Sequence, residues 1–305
     1  MTQVKIQIKS ISGEVLFEYE KENNTIQETV EEAVRQKASL NGASLDGASL
    51  DGANLDGASL DGVSLNGASL NGASLDGASL YGANLDGANL YGASLNSASL
   101  YGASLNSANL DGANLYGASL DGANLDGASL DGANLDGASL YGASLNGASL
   151  YGASLNSANL DGANLYGANL NSANLDGANL DGANLYGANL NGAKNIPYIP
   201  LNCPSDGAFV GWKKVDDKLV QLLIPEDAKR SSATTMKCRC DKAKVLAITS
   251  LDGAEQYDSV LNTNYTNTEY KVGEMVYPDK FDDNRWIECS NGIHFFINKQ
   301  DAINY

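Results

Sequence analysis

The chain has 305 residues, 43% of them hydrophobic, with a formal net charge of −18, four cysteines and one histidine. No apolar run is long enough to cross a membrane and no secretion signal is recognisable, so we expect a cytoplasmic protein without membrane contact. A single histidine leaves few ways to build a histidine-based catalytic site, and nothing in the composition indicates a cofactor.

Residues 1–37 predict a β-hairpin followed by one helix. Apolar and polar residues alternate from Val4 to Ile8, as in a half-buried strand, and Ser12-Gly13 marks the turn before a return strand. Thr25 and Glu28 have the spacing of a helix capping box, and apolar residues follow at helical spacing.

A five-residue unit, Ala-Ser/Asn-Leu-Asp/Asn/Tyr-Gly/Ser, then repeats without a break from Ala38 to Gly192. Leu recurs at every fifth position from Leu40 to Leu190, which makes thirty-one units. A helix repeats every 3.6 residues and a strand every 2, so neither explains a period of five. A strict repeat predicts a solenoid in which each unit contacts its neighbours along one axis, with Leu and Ala inside.

This pattern resembles the pentapeptide-repeat family. The resemblance implies a mainly β fold, a right-handed quadrilateral β-helix with four units per coil, over residues 38–193, here called the rod. Adjacent coils stacked at about 4.8 Å give a rod roughly 37 Å long. Because a solenoid exposes its core at its ends, we expect residues 1–37 to form an α/β cap. Residues 194–200, with Pro197 and Pro200, are predicted to be a linker.

The rod holds most of the excess charge, with fourteen Asp and no Lys, Arg or Glu. That is about one charge per 2.6 Å, compared with about one per 1.7 Å in B-DNA. Some pentapeptide-repeat proteins imitate DNA in the binding groove of topoisomerases, so the resemblance implies a DNA-mimic inhibitor of a topoisomerase or host defence nuclease. The alternative is a solubilising surface, because the acids lie on all four sides. Under both interpretations, we expect the rod not to bind nucleic acid directly.

Two sets of outward side chains are candidate binding residues. Four aspartates fall on four successive sides of one coil and cannot share a metal ion: Asp121, Asp126, Asp131 and Asp136. Eight tyrosines take the same outward position, and Tyr81 is predicted to stack on Tyr101, and Tyr166 on Tyr186. Exposed tyrosines favour protein or carbohydrate contacts, whereas stacking between coils would only stabilise the rod.

Residues 201–305 are not repetitive and predict an α+β domain with a mostly antiparallel sheet. The predicted strands and terminal helix are Ala208–Val210, Leu219–Ile224, Lys244–Ile248, Glu269–Val272, Ile293–Ile297 and Gln300–Tyr305. Strings such as Gly211-Trp212-Lys213-Lys214, Lys237-Cys238-Arg239-Cys240 and Glu288-Cys289-Ser290-Asn291-Gly292, with the N-terminal hairpin, resemble uncharacterised pentapeptide-repeat proteins of bacteriophages and gut bacteria. That resemblance implies no activity, substrate or catalytic residue.

The cysteines and the histidine are the candidate chemical groups. Cys203, Cys238, Cys240 and Cys289 have the ligand chemistry of a zinc site, although Cys-x-Cys is an unusual half-site. Cys289 with His294 would be the pair for nucleophilic catalysis, with no orienting acid identified. The alternative is reduced, buried thiols and a hydrogen-bonded histidine.

Basic residues cluster between Lys213 and Lys244. This segment contains nine Lys and Arg and five Asp and Glu. Six of them are candidates for a phosphate-binding face: Lys213, Lys214, Lys229, Arg230, Lys237 and Arg239. An ordinary mixed-charge surface is the alternative.

The sequence as a whole favours a non-enzymatic structural or interaction protein with a protein partner. The acidic rod would be rigid and would present the C-terminal domain for recognition. DNA mimicry and Cys/His-based activity are the alternatives, and the oligomeric state is left open.

Overall fold

A computed structural model describes residues 2–263, 267–287 and 289–305. Met1 and Glu288, which belong to segments discussed above, lie outside the described residues. The chain divides into two compact units, Met1–Tyr198 and Ile199–Tyr305. The four-part division into residues 1–37, 38–193, 194–200 and 201–305 stays a prediction. No helix among the described residues is both long and apolar enough to span a membrane.

The first unit begins with the predicted hairpin and helix. Strands β1 (Gln3–Lys9) and β2 (Val15–Glu22) pair antiparallel, and helix α1 spans Ile26–Arg35. The capping box is present, since Thr25 accepts from the Glu28 N–H and the Glu28 carboxylate accepts from the Thr25 N–H. The hairpin is bonded to the start of the repeats by backbone hydrogen bonds that join Ile11 to Gly42 and Ser44 to Lys9.

The repeats form a solenoid with twenty residues per coil. Parallel bridges join residues twenty apart, from Ser44 with Ser64 to Asn174 with Lys194, so each coil contains four units. The repeated Leu and Ala side chains are buried through the middle of the solenoid, and Val63, the one departure from inward Ala, is also fully buried. The fifth residue of each unit turns the chain with positive φ, as at Gly122 (φ 64°).

In units that lie between two neighbouring coils, four of the five backbone N–H groups donate to backbone carbonyls. In the unit Ala143–Gly147, the first N–H closes the turn by donating to Leu140 at 3.0 Å. The second, third and fifth N–H groups donate to adjoining coils at 2.7 to 2.9 Å. The N–H of the fourth residue, directly after Leu, is the group that needs another acceptor.

Side chains supply that acceptor in two ways. In the first, an outward Asp of the preceding coil accepts: Asp126 Oδ1 receives the Asn146 N–H at 2.9 Å and the Ser144 hydroxyl at 2.6 Å. In the second, an Asn two residues earlier accepts, as Asn124 Oδ1 does from the Asp126 N–H at 3.0 Å. Between residues 66 and 191, all of them described, three fourth-position N–H groups have neither arrangement: Tyr101, Asp121 and Asp176.

The two arrangements explain a correlation within the repeats. Where the fourth residue is Asp, the residue eighteen positions later is Ser in eleven of twelve pairs; where it is Asn, that residue is Asn in seven of eight. An Asp carboxylate accepts from a hydroxyl in the next coil, so Ser suits that position. An Asn in the next coil instead accepts, through its own side chain, from the N–H two residues later. The choice of Ser or Asn at the second position of a unit therefore depends on the side chain that it meets in the preceding coil.

The second unit contains a seven-stranded sheet in the order β10-β7-β4-β3-β11-β6-β5, with antiparallel pairs throughout, and a separate β8-β9 hairpin. The elements are β3 (Phe209–Val215), β4 (Lys218–Ile224), β5 (Arg230–Ser232), β6 (Lys237–Cys240), β7 (Ala243–Ser250), β8 (Ser259–Asn262), β9 (Thr268–Lys271), β10 (Met275–Val276), β11 (Ile293–Phe296) and α2 (Lys299–Asn304).

The antiparallel sheet and the terminal helix agree with the prediction, but four short strands, β5, β6, β8 and β10, were not predicted. β5 and β6 are short and rich in charged and polar residues that the sheet buries, so they lack the apolar run that predicts a buried strand. β11 packs closely on β3, since a Cβ at Gly211 would lie 2.6 Å from the Phe295 ring. Glycine at that position therefore lets Phe295 fill the core.

The buried Leu column should be the main source of stability in the rod. Leu115→Ala, in the middle, should lower the free energy of unfolding by about 2 to 5 kcal/mol, because a fully buried Leu leaves a cavity. Leu180→Ala, at a half-buried position near the end, should cost less than half as much. Urea titrations followed by circular dichroism measure both variants. Equal losses of unfolding free energy would contradict the prediction that the central leucines contribute more than those near the end.

The Asp–Ser contact between coils should stabilise the rod more strongly while Asp is ionised. Ser144→Ala should lower the free energy of unfolding by about 1 kcal/mol at pH 7. Ser99→Ala, whose neighbour in the preceding coil is Tyr81, is the matched control and should cost less than half of that. Although burial opposes it, hydrogen bonds from Ser144 and Asn146 hold the pKa of Asp126 below its ordinary value.

The pH dependence follows from that lowered pKa. The difference between the two serine variants should be full above about pH 4 and should decrease as pH falls through the native pKa, because the protonated carboxyl is a weaker acceptor. Urea midpoints at pH 7 and pH 2.5 test this. A difference as large at pH 2.5 as at pH 7 would show that the ionisation of Asp126 does not strengthen the contact.

Candidate functional site

The outward tyrosines of the rod stack as predicted. The Tyr81 and Tyr101 rings lie 5.3 Å apart at an interplanar angle of 1°, and Tyr166 and Tyr186 lie 5.7 Å apart at 9°. Tyr81 keeps 57% and Tyr101 50% of its surface exposed. Stacking between coils therefore uses one face of each ring, and a binding role for these tyrosines stays a prediction.

The four candidate aspartates each accept a serine hydroxyl from the next coil. The pairs are Asp121 with Ser139, Asp126 with Ser144, Asp131 with Ser149, and Asp136 with Ser154. Each contact uses Oδ1 of the carboxylate. These aspartates are therefore structural members of the coil as well as surface charges.

The six basic candidates do not form one face. Arg230 donates to the backbone carbonyls of Pro204, Gly207 and neighbouring residues, so its guanidinium holds loops together. Arg239 is only 3% exposed and donates to carbonyls of the 282–287 segment. Lys229 lies 3.4 Å from Asp283, and both side chains are exposed. Backbone carbonyls therefore hold the two arginines, and the phosphate-binding role of the six residues stays a prediction.

Three of the predicted lysines instead line one cavity of about 570 Å³ in the second unit, together with Lys280. The order β3-β11-β6 produces this arrangement. Trp212 on β3 and Lys237 on β6 both lie opposite Phe296, so β3 and β6 flank β11. Lys213 and Lys214 come from β3 and Lys237 from β6. We call this cavity the lysine pocket.

The lysines of this pocket have neutral partners. Lys213 Nζ lies 3.4 Å from the His294 carbonyl, and Lys214 Nζ lies 3.1 Å from the Ile303 carbonyl. Lys237 Nζ lies 2.9 Å from the Tyr305 hydroxyl. Within the described parts of the chain, none of these three lysines forms an ion pair with a carboxylate.

Burial and mutual repulsion act on these ammonium groups. Burial first, and then the charge of Lys237, lower the pKa of Lys213 to about 8. Burial also opposes the charge of Lys237, but hydrogen bonds to Tyr305 and Cys289 raise its pKa above the ordinary value. Lys237 is therefore charged at pH 7, close to a second ammonium group.

His294 is neutral at pH 7. Burial, together with the nearby charges of Lys237, Lys213 and Arg239, lowers its pKa to about 4. Its Nε2 lies 2.7 Å from the Ser290 carbonyl, which accepts only from a protonated ring nitrogen. The Nε2–H group therefore points to the backbone.

The predicted Cys289–His294 pair is not assembled. Both residues line the lysine pocket, but the described hydrogen bonds join Cys289 Sγ to Lys237 Nζ at 3.4 Å, and not to His294. Among the described residues, the thiol therefore contacts Lys237 rather than the histidine base of the predicted pair.

The four cysteines are free and do not converge on one point. Cys203 and Cys238 are buried and share a hydrogen bond, which lowers the pKa of Cys203 and raises that of Cys238. Burial raises the pKa of Cys240 to about 12, and Cys289 is exposed. In the described ranges, no group of three or more His, Cys, Asp or Glu side chains is placed to hold a metal ion.

Sequence reasoning missed Lys280 and Tyr305 as members of the pocket. The lining residues run from Lys213 to Tyr305 and come from at least four separate segments. No local spacing connects them, and only the strand order brings them together. The one local signal was the excess of basic residues between Lys213 and Lys244.

Comparisons with known proteins divide the chain at the same place as its two units. The sequence model of pentapeptide repeats matches residues 36–67, 58–96, 98–137, 118–157, 133–171 and 158–194, together just over half of the chain. Residues 199–302 match a family of unknown function (DUF5758). A search of curated proteins found no match.

Several solved structures are similar over the repeats. HetL, a pentapeptide repeat protein involved in heterocyst differentiation regulation from the cyanobacterium Nostoc sp. strain PCC 7120, is 37% identical over 50% of this chain and 83% of HetL (TM-score 0.26). Rfr23 from the cyanobacterium Cyanothece 51142 is 45% identical over 30% of this chain and 61% of Rfr23 (TM-score 0.28). QnrB1, a plasmid-mediated fluoroquinolone resistance protein, is 19% identical over 48% and 80%, respectively (TM-score 0.38).

The burial of the cysteines predicts their order of reaction with Ellman's reagent. One thiol per chain, Cys289, should react quickly in the native protein, and all four should react after unfolding in guanidinium. Cys289→Ala should remove the fast phase, whereas Cys240→Ala should leave it unchanged. A second fast thiol in the native protein would contradict the burial of Cys203, Cys238 and Cys240.

Proposed function

Because the chain belongs to the pentapeptide-repeat family, we propose that it is a non-enzymatic interaction protein whose rod is a rigid acidic spacer and whose residues 201–305 recognise a protein partner. The proposal includes a right-handed, four-sided coil and a capping role for residues 1–37. Their support is the family membership and the hydrogen bonds between the hairpin and the first coil.

The observation that carries this proposal is the internal use of polar groups in the rod. Its backbone N–H groups are bonded within and between coils, and eleven of its fourteen aspartates accept a serine hydroxyl of the next coil. Successive units are nearly identical, so the rod encodes length more than a unique site. The second unit, in contrast, holds a cavity lined by four lysines, three of which form no ion pair with a carboxylate among the described residues.

A DNA-mimic inhibitor of a DNA-binding enzyme, such as a topoisomerase or host defence nuclease, is the second candidate. Its support is that the serine contacts in the Asp121–Asp136 coil use only one carboxylate oxygen, Oδ1. Oδ2 of Asp126 and of Asp136 accepts from a neighbouring Asn amide, whereas Oδ2 of Asp121 and of Asp131 has no described partner and would face an electropositive groove. Acids on all four sides favour the spacer over this candidate.

Replacing Asp by Asn separates charge from fold in the rod. Asn41 already accepts both the Ser59 hydroxyl and the Asp61 N–H through Oδ1, so Asn preserves the contact between coils. The full-length variant in which Asp121, Asp126, Asp131 and Asp136 are all Asn therefore lacks four charges and should keep its fold, as urea titration would verify.

We expect the wild type and this variant to capture the same partner from bacterial lysate, at both low and high salt. A spacer does not contact the partner through its acids, so their removal changes nothing. Capture of a DNA-binding enzyme that high salt releases and the Asn variant loses would contradict the spacer and support the DNA mimic.

A further inference from the structure

We propose that the lysine pocket binds a small ligand that carries a phosphate dianion, such as a phosphomonoester or pyrophosphate group. This inference goes beyond the proposed function: it adds a small-molecule site to the unit that is proposed to recognise a protein partner. The charge, the donors and the size of the pocket support it.

The charge of the pocket has the opposite sign to that of the chain. Its described lining residues include four lysines and two aspartates, Asp216 and Asp279, which with neutral His294 give these residues a formal charge of +2 in a chain of −18. The two carboxylates are exposed, whereas Lys237 is 7% exposed. Burying ammonium groups without a counter-ion is unfavourable. A dianion that enters the pocket is therefore attracted by their charge.

The ammonium groups also have donors to spare. Each carries three N–H donors, and the described contacts of Lys213 and Lys214 use one each, to backbone carbonyls. Lys237 uses two, to Tyr305 and to the weakly accepting thiol of Cys289. The remaining N–H groups are available to the oxygens of an anion, without breaking any ion pair among the described residues.

The donor set favours phosphate over carboxylate. Arginine, whose planar fork suits bidentate binding of a carboxylate, is missing from the described lining residues. Several ammonium point charges and the neutral donors Ser290 and Asn291 suit a tetrahedral group with more oxygens. A phosphomonoester carries about −1.5 to −2 at pH 7, which matches the charge of the pocket.

The size of the pocket leaves room for more than the phosphate. Its volume of about 570 Å³ lies inside the range of about 300 to 1,000 Å³ usual for small-molecule sites. Tyr305, 69% exposed, adds an aromatic surface beside Lys237, whose Nζ lies 4.8 Å from the ring centroid. The pocket is therefore suited to a phosphorylated small molecule rather than to a free ion alone.

Calorimetric titration of the full chain with pyrophosphate, inorganic phosphate and succinate, at constant ionic strength, tests the proposal. Pyrophosphate should bind with one site per chain and at least tenfold more tightly than succinate. Lys237→Gln should weaken it at least tenfold, and Lys280→Gln about threefold. Lys244→Gln removes the same charge from an exposed position of β7 outside the pocket and should change nothing.

Lys280→Gln keeps the test decisive if Lys237→Gln does not fold, because Lys280 is exposed. The proposal is overturned if the wild type binds neither phosphate probe, if succinate binds as tightly as pyrophosphate, or if all three lysine variants bind like the wild type. It is also overturned if Lys244→Gln loses as much affinity as Lys280→Gln, since binding would then follow overall charge.

The calorimetric result and the capture experiment fail independently. Partner capture with no pyrophosphate binding would leave the spacer and recognition roles intact and reject the phosphate site. Pyrophosphate binding that depends on Lys237 and Lys280, with no partner captured or with capture through the rod, would reject the proposed function and keep the site.

Discussion

The rod depends on one backbone requirement: the N–H group after each inward Leu has no carbonyl to donate to. The other four N–H groups of a unit follow from coil geometry alone, whereas this one needs a side-chain oxygen. Asp126 supplies it from the preceding coil and Asn124 supplies it from within the same unit. Because an unpaired polar group costs stability, the choice of Ser, Asn or Asp at the outward positions is constrained by hydrogen bonding as well as by solubility.

This constraint changes how the acidity of the rod is understood. An outward Asp such as Asp126 binds both a hydroxyl and an N–H of the next coil, so most aspartates have a structural reason to be where they are. Asn can make the same contacts, as Asn41 shows, and the charge is therefore an additional property of the residue. Charge and fold can vary separately, which allows one coil to be neutralised without dismantling the solenoid.

The sequence was sufficient for features that depend on near neighbours or on the period of five. The Leu column, the tyrosine stacking and the α1 capping box are of this kind. The Asp–Ser contact lies eighteen residues apart in sequence and appears only when successive coils are aligned. Arg230 and Arg239 looked like surface charges, but the strands place them against backbone carbonyls, a tertiary effect that no local pattern encodes. The lysine pocket was missed for the same reason, since β11 enters between β3 and β6 from the far end of the domain.

Charged side chains therefore have different kinds of partner in the two units. In the rod, carboxylates lie at the surface, and a serine of the next coil donates to most of them, so the stacked coils need no ligand to satisfy these groups. In the second unit, Lys213 and Lys237 bring like charges together, and their described partners are carbonyls, a hydroxyl and a thiol. Burial and, after it, the charge of Lys237 lower the pKa of Lys213. A fold selected for stability alone would place a carboxylate or an apolar side chain there, and the retained ammonium groups are accounted for if their counter-ion arrives with a ligand.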